Sequence, residues 1–208
     1  VYGESPSGEN GAPVYGTASI VVDNGAAARF TGLVIGGNGS GRANRRGTLE
    51  VVNADVTADT ITLSAANEGE EARSSIHMEN GRLTVGTLVN NGTFAMDYNS
   101  TLTFGSFTNA GTFSISLDGY CGGEKKLLLD YTGSETLTGE YYSKLLGSSW
   151  NDACFTVENN DLYLNYDSAV VVYVNSTYSE ENCGGHTWGV DAFADHESAM
   201  AKNPVRVV

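Results

Sequence analysis

The sequence has little cysteine, little proline and little positive charge, and each shortage narrows the class of protein. It holds 3 Cys and 3 Pro among 208 residues, and 11 Lys and Arg against 25 Asp and Glu, which gives a formal net charge of −14. Such a charge repels polyanions within the Debye length, so we expect no nucleic-acid partner. No apolar run approaches the roughly 18 residues that a membrane span requires, so we expect no membrane insertion.

The three cysteines, Cys121, Cys154 and Cys183, have no CxxC pairing and no metal-like spacing with the three histidines. We expect at most one disulfide, with Cys121 and Cys154 as the preferred pair because both flank the predicted cap described below. Thiol counting on the denatured, unreduced protein should then find one free cysteine. The alternative is that all three are small, unpaired residues.

The sequence is rich in glycine, with 26 residues, and in β-forming apolar residues, and its middle contains a repeat. LTVGTLVNNGTFAM begins at Leu83, and LTFGSFTNAGTFSI follows nineteen positions later at Leu102. A shorter form of the pattern begins at Asn53, Asn80 and Asn99. Self-similarity at a fixed period near 20 residues is typical of solenoids.

One repeat predicts three short strands. Apolar residues alternate with Thr from Leu83, so the first strand has one apolar face. Gly86 is expected to turn a corner at φ values that other residues resist. A second strand then starts at Leu88, and a third at Thr93 after the Asn-Asn-Gly turn. Stacked repeats would form a right-handed parallel β-helix, a β-solenoid, with these pairs in its core: Leu83/Leu102, Val85/Phe104, Leu88/Phe107 and Phe94/Phe113.

The fold class predicted for the whole chain is all-β, a right-handed parallel β-helix with a C-terminal β cap and one short helix. Residues 1–118 are assigned to the solenoid coils, 119–168 to capping strands, and 169–208 to a junction strand, a loop, the short helix and a terminal strand. A hairpin is expected at the Asn159-Asn160-Asp161 turn. The helix is expected to have Asp191 as its N-cap and to end at Pro204. Because a new strand starts at Val205, the chain is expected to be part of something longer.

Catalytic chemistry has little support in the sequence. Parallel β-helices can host polysaccharide lyases and hydrolases, which need clustered acids. The one dense constellation is His186, Asp191, Asp195, His196 and Glu197. Asp191 and Asp195 could share a face of a helix, but no second ligand pair is fixed by spacing. We therefore predict no enzyme activity, no metal and no cofactor.

Three stretches resemble the module ends and junctions of repetitive bacterial cell-surface proteins, in the style of autotransporter passenger domains. They are LDGYCGGEKKLLLDYTG from Leu117, NNDLYLNY from Asn159, and YVNSTYSEENCGGHTWGVDAFAD from Tyr173. The resemblance implies a parallel β-helix, an extracellular or cell-surface location, and a structural or adhesive role in a tandem array. It carries no catalytic residues.

The terminal apolar runs predict assembly with copies of the chain or with neighbouring modules. Open solenoid ends expose unpaired backbone groups that add strands readily. Two charged loops could set the register of the contact. The alternative is that both apolar runs fold back onto their own solenoid and leave a capped monomer. The residues assigned to assembly are Val1, Tyr2, Val170, Val171, Val172, Tyr173, Val174, Val205, Val207, Val208, Arg42, Arg45, Arg46, Glu68, Glu70 and Glu71.

The sequence therefore favours a structural β-solenoid module of an extracellular stalk, filament or adhesin that assembles head to tail. The alternative function is a carbohydrate-binding or polysaccharide-cleaving β-helix, with glycans as possible partners. A glycan array and a polysaccharide-degradation assay distinguish the two classes.

Overall fold

The structure, a computed structural model, describes residues 16–36, 45–65, 74–118, 125–150, 154–164, 171–182, 192–200 and 206–208. The first part of the described chain contains the strands β1 Gly16–Asp23, β2 Ala27–Ile35, β3 Arg45–Val52, β4 Asp55–Leu63, β5 Ser74–Glu79, β6 Arg82–Asn90, β7 Thr93–Asp97, β8 Thr101–Asn109 and β9 Thr112–Ser116. The second part contains β10 Lys126–Tyr131, α1 Gly139–Leu146, a 3-10 turn at Gly147–Ser149, β11 Phe155–Glu158, β12 Asp161–Leu164, β13 Val171–Val174, β14 Ala192–Phe193, α2 His196–Met200 and β15 Arg206–Val207.

Strands β1 to β10 alternate between two sheets. The first sheet has the order β1-β3-β5-β7-β9 and is parallel throughout. The second sheet has the order β2-β4-β6-β8-β10-β12-β11. Its strands from β2 to β10 are parallel, while β10, β12 and β11 pair in an antiparallel manner. The predicted all-β class is therefore confirmed, with parallel sheets as its main feature.

The four predicted core pairs are adjacent in the sheets, so the register read from the repeat is confirmed. Three of the pairs lie side by side on β6 and β8, and Phe94 lies beside Phe113 on β7 and β9. All eight side chains are buried. The Phe94 and Phe113 ring centroids are 5.1 Å apart, and Phe107 lies 5.2 Å from Phe113. Aromatic contacts at this range add to the stabilisation that burial alone provides.

Each repeat contains two strands, not the three predicted from the sequence. Strand β6 continues through Gly86, and only β7 follows before the next repeat. The corner predicted at Gly86 appears in the structure as a break in the alternation of buried and exposed residues along β6. Leu83 and Val85 face inward, Gly86 and Thr87 are both exposed, and the next inward residue is Leu88. The chain therefore bends within a strand while its ladder with the neighbouring strands continues at the same offset.

The glycines at this bend serve close backbone packing and not an unusual φ angle, which corrects the reason predicted from the sequence. Gly86 and Gly105 are not among the residues with positive φ. A Cβ at Gly86 would lie 2.7 Å from the Asp59 carbonyl oxygen, and one at Gly105 would lie 2.7 Å from the Gly86 carbonyl oxygen. Neighbouring backbones thus approach too closely for a side chain on that side.

Asparagines hold both turns between the sheets. Asn53 and Asn80 have φ of 50° and 48°, in the left-handed region that Asn tolerates. The Asn80 side-chain amide donates to Asn53 Oδ1 at 2.7 Å. At the opposite turn Asn90 is fully buried, and its Nδ2 donates to Asn109 Oδ1 at 2.8 Å and to the Thr112 carbonyl at 2.9 Å. Side-chain amides therefore satisfy backbone groups that the turns would leave unpaired.

Residues beyond β9 pack against the last of the repeated strands, but they include a helix where only capping strands were predicted. Helix α1 buries Tyr142, Leu145 and Leu146. The amide of Asn109 donates to the Leu145 carbonyl at 2.9 Å, and the Tyr141 hydroxyl donates to the Phe107 carbonyl at 2.9 Å. The predicted hairpin is confirmed as β11 and β12. The helix was missed because it is only eight residues long.

The cap is expected to make the fold sensitive to alkaline pH. Burial raises the pKa of Tyr141 to about 12 and raises that of Tyr142 as well. The folded state therefore holds these phenolic protons more tightly than the unfolded chain, in which tyrosine ionises near pH 10. The resulting stability is present below about pH 10 and is lost as the pH rises through the folded-state pKa values.

Replacing Tyr142 with phenylalanine should reduce this alkaline loss. The Tyr142→Phe protein should lose about 1–2 kcal/mol at neutral pH, because the Tyr142 hydroxyl donates to the Asn160 carbonyl. Its free energy of unfolding should then fall less steeply above pH 10 than that of the parent. Urea titrations at pH 7, 9 and 11 measure both effects, and equal slopes in the two proteins would contradict the assignment.

Candidate functional site

The predicted assembly strand Val170–Val174 contains β13, which is the central strand of a small parallel sheet. Strand β15 pairs along one edge of β13, with Val172 beside Val207, and β14 pairs along the other, with Val174 beside Phe193. Backbone bonds of 2.8 Å from Val208 to Val172 and of 3.0 Å from Asn175 to Phe193 extend the two ladders. Both edges of β13 are thus occupied within the chain, and among the described strands of this sheet a partner strand could pair only with β14 or β15.

Helix α2 supports this small sheet and begins later than predicted. Asp195 accepts hydrogen bonds from the Ser198 backbone N–H at 2.7 Å and from its hydroxyl at 2.8 Å, so Asp195 is the N-cap and not Asp191. These bonds hold the pKa of Asp195 below its usual range. Residue 191 lies outside the described residues. Ala192–Phe193 forms β14, and Phe193 belongs to the same buried cluster as Val172 and Ala199.

Most of the charged residues assigned to assembly lie outside the described part of the chain. They are Arg42, Glu68, Glu70 and Glu71, together with the terminal residues Val1 and Tyr2 and with Val170 and Val205. Arg45 and Arg46 are described, and they begin β3 instead of lying in a loop as predicted. Val208 is described and is 51% exposed. The assembly role of all these residues stays a prediction.

Cys154 is buried and has no disulfide partner among the described residues. Burial raises the pKa of its thiol to about 11. Its predicted partner Cys121 and the third cysteine, Cys183, lie outside the described residues. The pairing of Cys121 with Cys154 therefore stays a prediction, to be checked by thiol counting.

A groove of about 480 Å³ lies on the outward face of the second sheet, and sequence reasoning did not predict it. Its volume is within the range of small-molecule sites. Strands β6, β8 and β10 form the floor, and the turn between β7 and β8 forms one end. The lining residues are Arg82, Thr84, Tyr98, Asn99, Thr101, Thr103, Lys126, Leu127 and Asp130.

Strand register determines which of these residues are neighbours. Arg82 lies beside Thr101, Thr84 lies beside Thr103, and Thr103 lies beside Asp130. Adjacent strands are about 4.8 Å apart, and residues two apart on a strand are about 7 Å apart. The floor is therefore a lattice of hydroxyl groups, with a guanidinium at one corner and a carboxylate diagonally opposite.

Two hydrogen bonds fix hydroxyls of this floor. The Thr103 hydroxyl donates to Asp130 Oδ2 at 3.0 Å, and the Thr101 hydroxyl donates to the Leu127 carbonyl at 3.2 Å. Each hydroxyl keeps lone pairs that can accept from a ligand. Asp130 Oδ1 also faces no hydrogen-bond donor among the described residues.

Lys126 closes the end of the groove beside the turn. Its ammonium donates to Asn99 Oδ1 at 2.5 Å and lies 4.8 Å from the centroid of the Tyr98 ring. Tyr98 also packs against the buried core. The lysine therefore covers part of the ring, so sugar stacking on Tyr98 is not the chemistry that this groove offers.

Arg82 is the cation that the groove leaves available. It is exposed, and within the described part of the chain its guanidinium forms no ion pair. Asp55 is its neighbour on β4 but makes no ion pair with it. Five N–H donors in a planar fork can therefore reach a ligand carboxylate.

Comparison of the chain with protein-family models, with curated proteins and with solved structures found no match. Among the described residues, no group of three or more His, Cys, Asp and Glu could hold a metal ion. Within those same ranges, no helix is long and apolar enough to cross a membrane. The resemblance to bacterial surface proteins and the predicted absence of enzyme activity therefore stay predictions from the sequence.

Proposed function

We propose that this chain is a right-handed β-solenoid that serves as a structural module of an extracellular surface stalk, filament or adhesin. The observation that carries the proposal is the in-register pairing of equivalent strands in two parallel sheets, with offsets of nineteen residues in the regular coils. A stack of this kind grows by about 5 Å for each added coil. Such a chain acts as a rigid spacer whose length is set by the number of its coils.

Longer coils keep the same stack because their extra residues lie between strands. Strand β6 is offset by 27 residues from β4 but by 19 from β8, while the core positions stay aligned. In the sequence, β4 and β5 are separated by ten residues, whereas β6 and β7 are separated by two. A surface protein can thus vary the length of sequence between its strands without changing the spacer, which is how solenoids carry insertions.

The first coil supplies the end at which a neighbouring module would add. Among the described residues, no strand pairs with the outer edge of β1 or of β2. Phe30, at the core position that Phe104 occupies in a later coil, is only partly buried. Edges of this kind add strands, and head-to-tail contacts that do not close generate filaments.

Assembly is tested on the intact chain by light scattering over a range of concentrations and by negative-stain microscopy. We expect linear particles of uniform width. Val21→Lys should shift the chain toward monomers, because this valine is more than half exposed on the edge strand β1 and lysine blocks edge pairing. Thr60→Lys places the same charge on the interior strand β4 and should leave assembly unchanged.

Two results would contradict the proposal in different ways. A parent chain that stays monomeric at high concentration would remove head-to-tail assembly. Robust turnover of any polyuronate by the purified chain would instead replace the structural role with a catalytic one.

A further inference from the structure

We propose that the groove on β6, β8 and β10 binds an acidic disaccharide that consists of one uronic acid residue and one neutral sugar. Arg82 would hold the uronate carboxylate. The hydroxyls of the neutral sugar would bind at the end of the groove that is lined by Thr84, Thr103 and Asp130. This site belongs to a single chain, so it goes beyond the structural role and does not depend on assembly.

The carboxylate preference follows from the free cation. The exposed Arg82 guanidinium has no acidic partner in the described ranges, whereas Arg29 on the same face pairs with Asp59 at 3.5 Å. A guanidinium binds a carboxylate through two parallel hydrogen bonds. Lys126 adds a second positive charge to the groove, and its ammonium can donate further hydrogen bonds beyond the one to Asn99.

The hydroxyl preference follows from the floor. Thr84 makes no side-chain hydrogen bond within the described chain, so its hydroxyl can donate and accept. Thr103 donates to Asp130 and keeps its acceptor lone pairs. Asp130 Oδ1 can only accept hydrogen bonds. A sugar that offers several hydroxyls matches this alternation of donors and acceptors.

Length and charge limit the ligand to two residues with one carboxylate. Arg82 and Asp130 lie two strands apart and are displaced by two residues along the strands, which separates their backbones by roughly 12 Å. This distance is close to the length of a disaccharide. A second carboxylate would meet Asp130, and the net charge of −14 would oppose a longer polyanion.

The test compares two disaccharides with one skeleton, cellobiouronate and cellobiose, which differ by a carboxylate in place of a hydroxymethyl group. We expect cellobiouronate to bind the intact chain at least ten times more tightly in an NMR titration, because a charge-assisted hydrogen bond is worth that factor or more. Arg82→Gln should abolish the preference. The matched control, Arg29→Gln on β2, should retain it.

Two further ligands test how much the sugar hydroxyls and a second carboxylate contribute to the affinity. N-acetylglycylglycine has a carboxylate but lacks sugar hydroxyls, and it should bind more weakly than cellobiouronate. Digalacturonate should also bind more weakly, and Asp130→Asn should remove that difference. Equal affinity for cellobiouronate and cellobiose, no binding of either at millimolar concentration, or an unchanged preference in Arg82→Gln would overturn the proposal.

Discussion

Replacing Phe113 with alanine is expected to lower the free energy of unfolding by about 3–5 kcal/mol, the usual cost of a large-to-small change in a packed core. The Phe113 side chain is 3% exposed and contacts the rings of Phe94 and Phe107. The cavity would open on the side of β9 near α1 and the 3-10 turn at Gly147–Ser149. Urea unfolding measures the loss, and the melting temperature should fall by roughly 10 °C.

The neighbouring residue provides the control. Ser114 lies on the same strand with its side chain on the opposite face, and Ala95 is its partner on β7. Ser114→Ala should therefore change the stability by less than about 0.5 kcal/mol. An unchanged melt for Phe113→Ala would mean that this residue faces solvent and that the strand register is wrong.

Replacing Asn90 with alanine should be nearly as costly, at about 3 kcal/mol, although no apolar surface is lost. The buried amide of Asn90 serves three groups. It donates to Asn109 and to the Thr112 carbonyl, and its Oδ1 accepts from the Gly92 N–H at 3.0 Å. Truncation leaves these groups without partners, and each buried unsatisfied group costs about 1–3 kcal/mol.

The stability of the Asn90→Ala protein is again measured by urea unfolding. Thr108→Ala, one strand away on an exposed position of β8, should be close to neutral. If Asn90→Ala were as stable as the parent, water would have to reach this turn, and the asparagine ladder would contribute nothing to the coil-to-coil contact.

The sequence predicted the register of the repeated strands well because one physical pattern recurs there. Inward positions such as Leu83 and Leu102 must be apolar, and a fixed offset in sequence becomes lateral pairing in the sheet. The number of strands per coil was wrong because a glycine signals both a corner and a close backbone contact. Only the structure shows that Gly86 lies against the Asp59 carbonyl.

The cap and the groove depend on contacts that no local pattern encodes. Helix α1 is short, and its position is fixed by a hydrogen bond from the side-chain amide of Asn109 to the Leu145 carbonyl, 36 residues away. The groove brings Arg82 to Thr101 and Thr103 to Asp130 through two different coil lengths. The sequence signal for the groove was Arg82 at an outward position of a threonine-rich strand. The spacing of residues in the sequence did not show which side chains surround it.

The coil-to-coil register is tested most directly by disulfide trapping. Thr87 and Ser106 lie on adjacent coils, nineteen residues apart, and the Ser106 hydroxyl donates to Thr87 Oγ1 at 3.2 Å. A chain with Thr87→Cys and Ser106→Cys should form a disulfide between these two positions under mild oxidation, because adjacent strands place their Cα atoms within bonding range. Peptide mapping with mass spectrometry detects this disulfide. The shifted pair Thr87→Cys with Thr108→Cys should not cross-link. Cross-linking of the shifted pair without the in-register pair would contradict the stack.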